Sequence, residues 1–215
     1  MPSRPCPAND SAAKPWRWLV GSASSVVLSG WLVVASIQPA APTARAQPHL
    51  SDRSGPFAWV MAAAAPPDWA RADLASGGAQ LSYPPSFAPL SGDAGTVSAA
   101  VRDTRGKFLA YVNATPRQGD ERLNGFGAFR VGLLRHEDPT VIEEAAREGL
   151  AFRGGHGSCV IDHYVTRIDH NRYREVACLA QGRHASAVVV AAATEATWRQ
   201  FEPVLRQVIA SFAVR

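Results

Sequence analysis

The stretch SCVIDHYVTRIDHNRYREVACLAQGRHASAVVVAAAT, residues 158–194, decides the fold. SCVIDHYVTRI and RYREVACLAQ read as two strands in quick succession. Between them stands DHN, residues 169–171, a run of turn formers, so the pair predicts an antiparallel hairpin. HASAVVVAAA follows as a third strand, and its unbroken apolar run predicts burial on both faces. Upstream, AQLSYP (79–84), TVSAAVRDT (96–104) and KFLAYVNATP (107–116) alternate apolar and polar residues between Pro, Gly and Asp turns and also read as strands. Residues 121–135 place Leu123, Phe126, Phe129 or Arg130, and Leu133 near helical spacing, with Gly125 and Gly127 working against it. Residues 140–153 predict a second helix, opened by Thr140 and Glu143 at capping-box spacing and stopped by Gly154 and Gly155. A third begins near Glu195: Trp198, Phe201, Leu205, Val208 and Phe212 make one apolar stripe, with Pro203 inside it to bend it or mark a start. Strands grouped in sequence with helices between groups give an α+β class: a mainly antiparallel sheet flanked by helices.

The chain has 215 residues, 47% apolar and 19% charged, which excludes a wholly disordered polymer. Its charge is uneven. Residues 1–46 hold four basic side chains (Arg4, Lys14, Arg17, Arg45) against Asp10, leaving 18 positive and 17 negative charges on the rest. The body therefore lacks the basic surplus of a nucleic-acid binder. Residues 18–37 are uncharged and follow basic residues, and Ala44 and Ala46 form the small-x-small pattern of a cleavage site. This predicts a secretory signal over 1–46, or an uncleaved anchor through 18–37. Residues 47–77 predict a tether, with a short docking helix as the competing reading, and 78–215 the folded domain. The expected location is secreted or extracytoplasmic, with the membrane touched only through the amino-terminal segment.

Cys159 and Cys178 are the two cysteines of the exported part, and an even count there predicts one disulfide. Two buried thiols are the alternative. Mirror symmetry about His170 sets Cys178 near Asp162, so direct bonding needs an offset register or a bulge.

The strings YVNATPRQGDERL (111–123), AFRVGLL (128–134), GSCVIDHYVTR (157–167), YREVACLA (173–180), AVVVAAA (187–193) and the W-x-x-F-x-P-x-L of residues 198–205 resemble exported actinobacterial proteins of the PsbP-like fold. That group includes the extrinsic photosystem protein and mycobacterial envelope lipoproteins of the LpqN/LpqT type. The resemblance covers about 78–215. It implies an antiparallel sheet sandwiched between helices, in proteins that act mainly by binding other proteins. The chain departs from the lipoproteins in lacking a lipid-bearing cysteine after the apolar run.

Chemical signatures are sparse. Six histidines (His49, His136, His156, His163, His170, His184) show no paired zinc spacing, though His156 and His163 flank the hairpin entry near Asp162 and Asp169. No cofactor is expected, since the Gly-Gly pairs at 77–78 and 154–155 lack the Walker lysine and the Rossmann spacing. Arg130, Asp162, Tyr164, Arg174 and Glu175 stand out. Asp162 or Glu175 with Arg174 or Arg167 predict cross-strand ion pairs that fix register, or a lining for a partner surface. The leading functional expectation is a non-enzymatic binding or scaffold protein of the cell envelope with a protein partner. One alternative is an envelope hydrolase using Ser158 or Cys178 with His163. Another is a carrier of a small apolar ligand, held between the sheet and the terminal helix.

Overall fold

Residues 158–194 form the predicted hairpin and third strand, and these anchor a seven-stranded sheet. The computed structural model describes residues 55–166 and 170–215. In chain order the elements are β1 (Ala70–Asp73), β2 (Ala79–Tyr83), β3 (Ala88–Leu90), β4 (Val97–Arg102), β5 (Phe108–Pro116), α1 (Phe126–Arg135), β6 (Ile142–Phe152), β7 (Gly155–Val165), β8 (Arg172–Gly182), β9 (Ser186–Thr194), α2 (Trp198–Ser211) and β10 (Ala213–Val214). The large sheet runs β3-β4-β5-β9-β8-β7-β6 and the small one β1-β2-β10. All neighbouring strands are antiparallel. The fold is α+β, as expected.

The strand period sorts the side chains onto two faces. Cys159, Ile161, Val176, Cys178, Val189 and Ala191 join the core that contains the α2 stripe. Val160, Tyr164, Tyr173, Ala177, Leu179 and Val190 join a second core under α1. Trp198, Phe201, Leu205, Val208 and Phe212 are all buried, so the predicted stripe is core. Pro203 neither starts nor ends α2 but lies within it.

Cys159 and Cys178 form a disulfide as direct register partners. The offset comes from the turn. Pairing is unbroken from Gly155↔Gly182 to Val165↔Arg172, so the hairpin's midpoint falls earlier than His170. His170 itself takes the left-handed conformation, φ 51°. Both cysteines are buried in the α2-side core. The bond closes a loop of sequence separation 19. Replacing both cysteines by alanine is expected to lower the unfolding free energy by about 3 kcal/mol in urea titration. An unchanged midpoint would mean that the sheet, not the bond, fixes this pair.

Two expectations are corrected. Residues 142–152 form β6, not a helix, so Thr140 and Glu143 cap nothing. Ala, Glu and Arg are good helix formers, but here they line a sheet edge. Glu143, Glu144, Ala146 and Glu148 are exposed, and pairing with β7 overrides local propensity. The tether is also corrected over its described part. Phe57, Val60, Trp69 and Leu74 are buried in the α2-side core, and Ala70–Asp73 is a strand, so the folded body begins well before residue 78. One short apolar run, residues 57–65, followed by Pro66 and Pro67, carries no strand or helix period, which is why the segment reads as a linker. The leader 1–46, with Ala44 and Ala46, lies outside the described residues. Among those described, no helix is long and apolar enough to cross a membrane.

The glycine pairs are packing sites for the last residues of the sequence. The amides of His184 and Ala185 donate to the Arg215 carbonyl, Val214 N donates to Arg153 O, and Arg215 N donates to Gly78 O. A Cβ on Gly154 would stand 2.0 Å from the Val214 oxygen, and one on Gly182 2.5 Å from the Arg215 oxygen. Backbone lies where side chains would be.

Candidate functional site

Two polar clusters sit on opposite faces of the β6–β7–β8 region. The first is buried under α1. Register places Tyr111, Ala192, Glu175, Asp162 and Glu143 in one row across five strands, all on one face. Arg130 comes down from α1 and donates through Nε (2.9 Å) and Nη2 (2.6 Å) to Glu175 Oε1. Tyr111 bonds both Tyr164 and Glu175. Burial alone would loosen the proton of the Arg130 guanidinium, but the charges of Glu175 and Asp162 reverse this and raise its pKa above the ordinary value. Burial raises the phenols of Tyr111 and Tyr164 well above theirs.

Asp162 is fully buried, and neither carboxyl oxygen has a partner. Burial first, then the neighbouring Glu175, raises its pKa to about 8, against the pull of Arg130. One guanidinium faces two carboxylates, so one of them keeps its proton. The expected partners are therefore corrected: Glu175 pairs with Arg130 from the helix, not with a cross-strand arginine, and Asp162 has no ion-pair partner here. Arg167 lies outside the described residues.

The second cluster is open, on the α2 face. Ile142, His163 and Arg174 form a cross-strand row. A register shift between Glu143 and Ala145 leaves Glu144 as the extra residue, a bulge that re-aims a side chain. Glu144 accepts from Arg174 and lies 3.0 Å from His163 Nε2, while His163 Nδ1 lies 2.9 Å from Glu195. Desolvation would raise the Glu144 pKa, but its bonds to His163 and Arg174 lower it below the usual carboxylate value. The Arg174 guanidinium lies 4.8 Å from the centre of the Trp198 ring, and that of Arg206 5.2 Å from the Trp59 ring. Arg206 in turn pairs with Glu202 at 2.6 Å. Between these groups is a half-open pocket of about 220 Å³, with Ile161 and Val176 among its lining. Trp198 Nε1 and Arg174 Nε, both from lining residues, have no hydrogen-bond acceptor.

This pocket lies where a ligand was expected, between sheet and terminal helix, but four charged side chains line it. Trp59 and Arg206 carry no sequence signal; a lone tryptophan in an apolar run says nothing about which helix it meets. The hydrolase residues are not brought together. Ser158 and His163 are five positions apart on β7, on opposite faces and about 17 Å apart along the strand. The Ser158 hydroxyl is buried with no partner, and the Cys178 sulfur is bonded to Cys159. His156 and His163 also face opposite ways, and Asp169 lies outside the described residues. Among the described residues no group of three or more His, Cys, Asp or Glu is placed to hold a metal ion.

No protein-family model and no curated protein matches this chain. Solved structures of similar layout exist. Cyanobacterial PsbP from Synechocystis is 13% identical with a TM-score of 0.49, over 69% of this chain and 93% of its own. LpqN of Mycobacterium tuberculosis, involved in cell envelope biogenesis, is 11% identical with a TM-score of 0.44, over 68% of this chain and 90% of its own. A Pseudomonas aeruginosa protein of unknown function is 12% identical with a TM-score of 0.44, over 68% and 97%. At such identities and TM-scores these likenesses decide no function, and the fold rests on the strand order and register described above.

Proposed function

We propose that this is an exported protein of the bacterial cell envelope that works by binding a protein partner, with the groove between α2 and β7–β8 as its contact surface. The observation that carries the reading is the make-up of that surface. Tryptophan and arginine are the residue types that dominate binding hot spots, and here two of each interleave. Exposed apolar residues flank them. Ile142, 58% exposed, is the register neighbour of His163, and Met61, 60% exposed, follows Trp59 by two residues. The disulfide supports an oxidising location, in keeping with the signal-like leader.

The test is photocrosslinking in intact cells, with a benzophenone amino acid at Arg206 on the groove rim or at Arg183 in the β8–β9 turn. A reproducible envelope protein captured from position 206 and not from 183 is the expected result. Capture from neither, or equally from both, would count against the groove.

A further inference from the structure

We infer that this groove anchors its partner through one neutral aromatic side chain bearing a hydrogen-bond acceptor, a tyrosine. The inference rests on the binding reading above and adds the chemistry of the contact. Size comes first. A pocket of about 220 Å³ falls below the range of about 300–1,000 Å³ that holds a whole small ligand, so it suits a single side chain on a larger partner. Charge comes next. The two arginines of the lining are matched by Glu144 and Glu202, so no net charge draws in an ion, and desolvating one here would be unfavourable.

Polar need fixes the rest. Trp198 is 6% exposed, yet its Nε1–H has no acceptor; nor does Arg174 Nε–H. Both side chains are among the pocket lining, and both atoms are buried. The Arg174 side chain is 23% exposed and held by Glu144, so the entering ring must turn it aside to reach both donors. A phenolic oxygen accepts from such donors while its ring packs against Trp59, Ile161 and Val176. A sugar ring is disfavoured. It needs a free indole face, but a guanidinium covers one face of each tryptophan, and Trp198 is otherwise buried.

The experiment is NMR titration of the full ¹⁵N-labelled chain, following the indole N–H resonances of Trp59 and Trp198. p-Cresol, the tyrosine side-chain analogue, is expected to shift both in the millimolar range. Toluene lacks the oxygen and should need at least about fivefold more, the worth of one net hydrogen bond. Trp59→Ala, at a partly exposed position, should abolish the Trp198 shift. The inference is overturned if toluene equals p-cresol, if propionate or methyl glucoside binds in preference, or if no fragment moves these resonances. A failed titration alongside a successful crosslink from position 206 rejects the tyrosine anchor and leaves the binding reading standing.

Discussion

Asp162→Asn is expected to stabilise the protein at pH 7 by up to about 4 kcal/mol, against the usual direction of a core substitution. The cause is the row of acids on β6, β7 and β8. Asp162 lies between Glu143 and Glu175 in register, has no exposed area, and makes no hydrogen bond. Its pKa rises from 3.8 to about 8 on folding. An acid whose pKa is higher when folded binds more protons in the folded state than in the unfolded one. The contribution of Asp162 to stability is therefore greatest at low pH and declines as pH rises, beginning near 3.8 and levelling off near 8. At pH 7 about three of those units have been traversed, at about 1.4 kcal/mol each. Asparagine keeps the shape and removes the charge, so the variant's stability should stay nearly flat across the same window. Urea titrations of both proteins at several pH values check this. A variant less stable than the parent at pH 7 would show that Asp162 is ionised and that Arg130 holds two carboxylates at once.

This cluster also marks how far the sequence could be read. Arg130, Asp162, Tyr164, Arg174 and Glu175 stand out as polar residues in apolar surroundings, and all five are in the two polar clusters. Their partners were not legible. Register lines up Asp162 with Glu175, a like-charge pair that strand alternation alone disfavours. It becomes tolerable only because α1, distant in sequence, brings Arg130 across. The hairpin was legible from the turn formers between its strands, and the α2 stripe because its period of 3.6 is set by the backbone itself. β6 was not, since an edge strand with a solvated side carries the charged and small residues of an exposed helix. The register of Cys159 was missed by the placing of one turn: centring on His170 moves every predicted pair, whereas the strands end at Val165 and Arg172. Trp59 meets Arg206 only because the 55–69 segment folds back along α2, a path no local pattern encodes.

Gly154→Ala carries the largest expected loss, roughly 3–5 kcal/mol, and the reason is the path of residues 213–215. Two costs combine at this position. Its φ of 82° is left-handed, which a residue with a Cβ adopts at a cost of about 1–2 kcal/mol. The added carbon would also stand 2.0 Å from the Val214 oxygen, and forced overpacking costs about 1–3 kcal/mol or more where the neighbour cannot retreat. Val214 is held in place. Its amide donates to Arg153, and Arg215 beyond it accepts from His184 and Ala185 and donates to Gly78. Gly149→Ala separates the two costs. That glycine has a similar φ of 70°, but nothing lies within 4 Å of its Cβ position, so only the backbone cost should appear. Urea titration of both variants should give a loss at 154 at least twice that at 149. Equal losses would mean that residues 213–215 lift away at little cost, and that the glycine-lined floor is conformational in origin rather than a seat for that strand.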